Sequence, residues 1–72
     1  MLVNVETKFK VGDIAYTNVF GHYVPVTIKR VIISIEESET EVSYEVDIQL
    51  IGITEEKYLI TEDEVKQIKI TV

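Results

Sequence analysis

The sequence predicts a small all-β domain of five strands, and three observations support this fold class. The chain has 72 residues, and 46% of them are hydrophobic, with Val and Ile prominent. In residues 41–50, EVSYEVDIQL, apolar and polar residues alternate, as in a strand with one buried and one solvated face. Residues 26–35, VTIKRVIISI, are rich in the β-branched residues that strands favour. A chain of this length has room for one core, so residues 1–72 are predicted to form a single domain, with residues 1–7 as an N-terminal arm or an extra strand.

The segment at residues 26–35 predicts one long, bent strand. Its apolar residues change parity at positions 29–30, so that Val31 and Ile33 lie on the opposite parity to Val26. A switch of this kind follows from a bulge or a sharp bend, which small barrels use to turn corners.

Turn signals place the elements around this strand. The Gly12-Asp13 pair indicates a turn, because Gly tolerates positive φ and Asp bonds the following amides. A strand then begins in which Ile14 and Tyr16 share one face. Residues 18–25 contain the only His and the only Pro of the chain and predict an irregular loop. The polar residues 36–40, EESET, suit a hairpin between two strands.

The last third of the chain predicts two short strands separated by a helical turn. Gly52 indicates a turn, and KYLI at residues 57–60 is typical of a short strand. Thr61 and Glu64 have the spacing of a capping box, which predicts one helical turn. In residues 65–72, Ile and Val alternate with polar residues, and this pattern predicts the final strand.

This order of elements resembles SH3-like barrels. The opening motif Phe9-x-Val11-Gly12-Asp13-x-x-Tyr16 is similar to the first barrel strand of SH3-like and KOW-like modules, and to the start of short uncharacterised phage and prophage proteins. The resemblance covers about residues 8–72. It implies a five-stranded SH3-like barrel that acts as a non-enzymatic accessory protein of a phage or prophage by binding another protein. Signalling SH3 domains dock proline-rich peptides in a groove that includes a Trp, and this chain has no Trp, so that role is not carried over.

The sequence predicts no catalytic residues, no cofactor and no metal. The chain has no Cys and one histidine, His22. A histidine base needs a hydrogen-bonded partner and a substrate pocket, and no Gly-x-Ser-x-Gly elbow or calcium-loop spacing is present. We therefore expect a binding protein rather than an enzyme.

Two segments are predicted to meet the partner. Aromatic residues on loops often anchor protein partners, and the predicted loop and its flanks are rich in them; packing of two of these residues in the core is the alternative. Crowded carboxylates on the hairpin indicate a second, acidic contact. The predicted partner-binding residues are Tyr16, Phe20, His22, Tyr23, Glu37, Glu39 and Glu41.

The charge distribution leaves two further hypotheses open. The net charge is −6; residues 1–35 carry four basic residues against two acidic ones, and residues 36–72 carry three against eleven. The acidic half is either a solubilising face or the surface of a nucleic-acid mimic that inhibits a nucleic-acid-binding or defence protein of the host. Direct binding of nucleic acid is disfavoured by the net charge; it would use Lys8, Lys10, Lys29 and Arg30.

The sequence also predicts a cytoplasmic protein. It has no Cys, no N-terminal pattern of a signal peptide, and no apolar run near the roughly 20 residues that span a membrane as a helix. Unpaired strand edges can pair between chains, so an edge strand such as the one predicted to end at Val72 would permit a homo-oligomer.

Overall fold

A long second strand organises the fold. The computed structural model describes the backbone of residues 5–70. All five described strands form one antiparallel sheet in the order β4-β3-β2-β1-β5, which curls into a half-barrel. Strands predominate, which confirms the predicted all-β architecture, and one short α-helix is also present. The elements are β1 (Ile14–Val19), β2 (His22–Glu36), β3 (Glu39–Val46), β4 (Ile53–Glu55), a 3-10 helix (Glu56–Tyr58), β5 (Leu59–Ile60) and α1 (Glu62–Ile70).

Strand β2 belongs to two hairpins. Up to Thr27 it pairs with β1, and from Ile28 onward it pairs with β3. The register shifts between Ile28 and Arg30, which marks a bulge or irregularity at Lys29. The predicted bend is confirmed, and it explains the change of parity, because one additional residue moves the following apolar side chains back to the inner face of the sheet.

The hairpin between β1 and β2 is much tighter than the predicted irregular loop at residues 18–25. Val19 pairs with His22, so the turn consists of Phe20 and Gly21, whose φ angles are 50° and 84°. Positive φ at both central residues is the requirement of a type I′ turn. The Asn18 side-chain oxygen accepts the amide of Gly21 at 2.9 Å. The loop prediction was wrong, because Phe is an uncommon residue at such a turn and concealed the signal.

The hairpin predicted at residues 36–40 is confirmed. Glu36 pairs with Glu39 across a two-residue turn, and Glu37 adopts a φ of 50°. The alternation predicted from residue 41 is realised in β3, which ends four residues earlier than predicted, at Val46. The chain then turns, as Gly52 predicted, and the short strand β4 follows, which no separate sequence pattern predicted.

The predicted final strand at residues 65–72 is wrong over its described part, which is helical. The capping box is present: the Glu64 amide donates to Thr61 Oγ1 at 3.2 Å, and the Thr61 amide donates to Glu64 Oε1 at 3.1 Å. Once these amides are satisfied, the helix continues through nine residues, and Val65 is buried. The predicted edge at Val72 lies outside the described residues.

Strand β5 takes the fifth place in the sheet. It pairs with Tyr16 and Thr17 of β1, so the short strand predicted at residues 57–60 is confirmed in its second half. Residues 5–7 belong to no helix or strand, and residues 1–4 of the predicted arm lie outside the described part of the chain.

The core lies on the inner face of the curled sheet. In β1 the buried residues are Ala15 and Thr17, so Ile14 and Tyr16 share the outer face, as their parity predicted. The rings of Phe9 and Tyr44 meet edge to face, with centroids 5.7 Å apart. The buried apolar residues are Phe9, Ala15, Val26, Ile28, Tyr44, Val46, Leu59 and Val65.

A buried hydroxyl attaches the N-terminal segment to this core. The Tyr44 hydroxyl accepts a hydrogen bond from the Phe9 amide at 3.2 Å and donates one to the carboxylate of Glu56. The same carboxylate oxygen accepts a hydrogen bond from the Lys8 amide at 3.0 Å. Burial, followed by the hydrogen bond to Glu56, raises the pKa of the Tyr44 phenol above its ordinary value. Residues 8 and 9 are therefore fixed without being part of a strand.

Candidate protein interface

The predicted partner-binding residues fall into two groups at the two ends of β2. We call residues 14–27, the hairpin of β1 with the first part of β2, the aromatic hairpin. We call residues 30–45, the hairpin of the second part of β2 with β3, the acidic arm. Because β2 runs from one turn to the other in a molecule whose longest extent is 46 Å, the two turns are separate surfaces.

Phe20 stands at the tip of the aromatic hairpin. Its residue is 98% exposed, and its φ of 50° lies in the left-handed region. Most L-residues are strained at that position, so turns of this type favour Gly, which has no Cβ, and Asn or Asp, whose short polar side chains form local hydrogen bonds. Phe20 therefore contributes neither core packing nor a favourable turn conformation.

Tyr16 and Tyr23 lie together on the outer face of the aromatic hairpin. Tyr16 is opposite Pro25, and Asn18 is opposite Tyr23, so the two tyrosines are diagonal neighbours on one face of the ribbon. Tyr23 is exposed, and Tyr16 is half-buried. The structure thus brings these two predicted residues together beside the tip.

His22 is separated from the tyrosines by the pleat of the strand. It pairs with Val19, and successive side chains of a strand point to opposite faces, so His22 and Tyr23 are on opposite faces. Both are exposed. A partner that covers the outer face would contact Tyr23 without necessarily reaching His22.

The acidic arm has a carboxylate-rich outer face. Glu39 pairs with Glu36, and Glu41 pairs with Ser34, so the predicted Glu39 and Glu41 lie together, and all four residues line one depression. In the part of the chain that the structure describes, no ion pair involves any of these glutamates. Glu37, in the turn, lines a neighbouring depression together with Glu36, Ser38 and Glu39. The predicted partner-binding residues did not include Glu36. Its pairing with Glu39 across the turn adds it to the site.

The inner face of the acidic arm is apolar and extends beyond the core. Val31 pairs with Tyr44, and Ile33 pairs with Val42, which places these side chains on the inner face. Ile33 is nevertheless 43% exposed and Ile35 is 53% exposed. The sequence showed their parity but not their exposure, because exposure depends on how far the arm projects past the remaining strands.

Two of the four cations in the predicted basic patch are engaged in ion pairs. Lys8 Nζ lies 2.8 Å from Glu64 Oε1, and Arg30 Nε lies 3.0 Å from Glu45 Oε1. The Lys8 ammonium is the main cause that lowers the pKa of the Glu64 carboxyl, and the Thr61 amide adds to it. These pairs reduce the positive charge that the patch presents to a phosphate backbone.

Neither a metal-binding cluster nor a helix that could span a membrane is found among the described residues. Among residues 5–70, no group of three or more His, Cys, Asp or Glu side chains is arranged so that it could hold a metal ion. The described helices are all too short or too polar to cross a membrane.

No family model, no curated protein and no solved structure matches this chain. The resemblance to SH3-like barrels and to phage proteins therefore stays a prediction from sequence. The features that bear on function are the two hairpins themselves.

Proposed function

We propose that this chain is a non-enzymatic protein-interaction module, an SH3-like barrel that presents the aromatic hairpin to a partner protein. The observation that supports this proposal most strongly is the fully exposed Phe20 at the tip of a tight turn. The resemblance of the opening motif to phage and prophage proteins supports an accessory role in that setting. The partner would receive the phenyl ring in an apolar pocket, since aromatic side chains are frequent anchors at protein interfaces.

Backbone conformation supports a functional role for both tips. Among the described residues, the non-glycine residues with positive φ are Phe20 and Glu37, each at 50°. A left-handed conformation costs an L-residue roughly 1–2 kcal/mol, and such strain concentrates at functional sites. Each strained residue occupies the first position of a hairpin turn. The proposal explains why residues poorly suited to positive φ occupy the tips of the two hairpins.

The surface next to Phe20 suits a protein partner. Tyr23, Tyr16 and Pro25 form an adjoining strip on the outer face. Aromatic rings of this kind give large contact area at low entropic cost, because they have few rotatable bonds. We expect Phe20 to be the anchor and Tyr23 to contribute at its margin.

A matched pair of variants tests the proposal. Phe20→Asn removes the ring and places a residue that tolerates positive φ, so the fold should gain about 1 kcal/mol of stability. Leu50→Asn is the control, because Leu50 is 99% exposed at a different turn. Immobilised wild type, F20N and L50N are compared in capture of partners from the native cell, with quantitative mass spectrometry.

The expected result is a partner that wild type and L50N retain equally and that F20N loses at least tenfold, a loss typical of an interface anchor. Equal retention by F20N would disprove the role of the aromatic hairpin. Equal loss by F20N and L50N would identify the captured protein as one that binds exposed apolar residues unselectively.

The acidic arm supports a second candidate function, inhibition of a nucleic-acid-binding host protein. The supporting observation is the depression lined by Glu36, Glu39 and Glu41, around which the described part of the chain supplies no ion-pairing cation. A basic partner would be attracted to it in a salt-dependent manner. Replacement of these three residues by Gln should then weaken capture and remove its salt dependence, whereas salt-independent capture would contradict this candidate.

A further inference from the structure

The second part of β2 has a free edge. β1 pairs with β2 only as far as Thr27, and β3 occupies the other side from Ile28 onward. Among residues 5–70, no other strand is placed beside residues 30–36. Ladder bonds alternate along an antiparallel pair, and Glu36 and Glu39 close the turn. The amides and carbonyls of Val31, Ile33 and Ile35 therefore point away from β3 and are available to another strand.

The sequence along this edge is complementary to itself. Residues 29–37 read KRVIISIEE, with cations at the start, an apolar centre and carboxylates at the end. In antiparallel pairing, the start of one copy meets the end of the other. A twofold axis at Ile33 places Val31 opposite Ile35 of the second copy, and Arg30 opposite Glu36 of the second copy. Opposite charges that face each other across strands stabilise such pairing.

We propose that two copies of this chain associate by antiparallel pairing of residues 30–36 about a twofold axis at Ile33. The occupant of the free edge is thus a second copy of the chain. The pairing joins the two sheets into one and brings the exposed inner faces of the two acidic arms into contact side by side.

Charge explains why the second copy fits better than an arbitrary strand. Glu36 lies directly opposite Glu39 within one chain, and like charges in that position destabilise a sheet. The second copy supplies an Arg30 beside Glu36 on the other side. Arg30 already contacts Glu45 through Nε, and a guanidinium has five donors, so it can serve both carboxylates.

The size of the contact limits its strength. Seven paired residues extend over about 23 Å of strand, which corresponds to the small end of specific interfaces. We therefore expect a dissociation constant in the micromolar range. The measurement is sedimentation velocity of the full chain from about 1 µM to about 200 µM, a range chosen for such an affinity. The mass should rise from 8.3 kDa to twice that value.

Charge-reversal variants test the register. Arg30→Glu and Glu36→Arg should each weaken association at least tenfold, because each leaves like charges opposed across the axis. An equimolar mixture of R30E and E36R should restore association to within about threefold of wild type, since both cross-axis pairs become complementary in the heterodimer. Asp63→Arg makes the same change of net charge on α1, away from the free edge, and should retain association.

A backbone variant tests the edge itself. Ile33→Pro removes an amide that points away from β3, a position where proline is tolerated in a sheet. The variant should keep the circular dichroism of wild type and sediment as a monomer. Phe20→Asn should leave association unchanged, so this proposal and the proposed function fail independently.

Three outcomes would overturn the proposal. One is a monomer over the whole concentration range. Another is association that survives both R30E and E36R. The third is a mixture of these two folded variants that associates no better than either alone, which would assign the free edge to a different occupant.

Discussion

The buried hydroxyl of Tyr44 donates a hydrogen bond to the carboxylate of Glu56 and accepts one from the amide of Phe9. The phenol thereby connects β3, the 3-10 helix and the N-terminal segment. Since Tyr44 is completely buried, water cannot replace these partners at low cost. We therefore expect the hydrogen bonds of this hydroxyl to stabilise the fold.

Replacement of Tyr44 by Phe should lower the free energy of unfolding by about 1–3 kcal/mol, because the Phe9 amide loses its acceptor. Urea unfolding monitored by circular dichroism measures the loss. Tyr58→Phe is the control, since Tyr58 is 59% exposed, and it should change stability by less than about 0.5 kcal/mol. Equal losses of unfolding free energy in the two variants would show that the hydrogen bonds of the buried hydroxyl do not stabilise the fold.

Alkaline pH should destabilise the protein through the same group. The pKa of Tyr44 is raised by burial and by the hydrogen bond to Glu56. The stability that accompanies the protonated phenol is present below the ordinary value of 10.0 and is lost as pH rises through the higher pKa of the folded state. Wild type should therefore lose its advantage over Y44F above about pH 10. Urea midpoints of both proteins against pH measure this, and a constant difference would contradict it.

Acid should weaken the attachment of α1. The pKa of Glu64 is lowered by Lys8 and by the Thr61 amide, so its stabilising effect is present above the ordinary value of 4.5 and is lost as pH falls through the lower pKa of the folded state. The difference in urea midpoint between wild type and Glu64→Gln should be largest near neutrality and vanish in acid. A midpoint difference that stays constant with pH would contradict this prediction.

Two isoleucines on the paired strands β1 and β2 should differ in how much stability the protein loses when each is replaced by Ala. Ile28 is 1% exposed, whereas Ile14 is 59% exposed. Ile28→Ala should cost about 2–5 kcal/mol, because it leaves a cavity, and Ile14→Ala should cost less than about 1 kcal/mol. Thermal and urea unfolding of both variants check this. Similar losses of unfolding free energy would contradict the assignment of Ile28 to the core face of the sheet and of Ile14 to the outer face.

Relief of strain at the two turns should be additive. Phe20→Asn and Glu37→Asn each place a residue that tolerates positive φ, so each should raise the free energy of unfolding by about 1 kcal/mol. The sites lie at opposite ends of β2, and distant sites add, so the double variant should gain about 2 kcal/mol. A destabilised single variant would indicate that its native side chain stabilises the turn.

Local patterns predicted the parts of this fold that depend on near neighbours. The alternation in β3, the bulge near Arg30 and the capping box at Thr61 are each encoded within a few residues. The end of the chain was assigned wrongly, because residues 65–70 fit both a strand alternation and a helix that starts at the capping box. The latter prevails, with Val65 buried.

The remaining features depend on distant contacts. Nothing near Tyr44 in sequence indicates that Glu56 will accept its hydroxyl, because the intervening turn and β4 bring the two together. The candidate site shows the same division. The aromatic and acidic residues are indicated by their positions on a predicted loop and a predicted hairpin, whereas the free edge of β2 follows only from where β1 stops pairing.

The bulge at Lys29 also allows one residue to be lost from β2 without loss of its amphipathic pattern. Without Lys29, Ile28 and Arg30 would be adjacent and would alternate regularly opposite Val46 and Glu45, so the apolar side chains of the acidic arm would stay on the inner face. The deletion would remove the additional residue and with it the local bend between the two hairpins. A single-codon deletion at this position therefore changes the angle between the aromatic hairpin and the acidic arm, whereas the two faces of each hairpin keep their character.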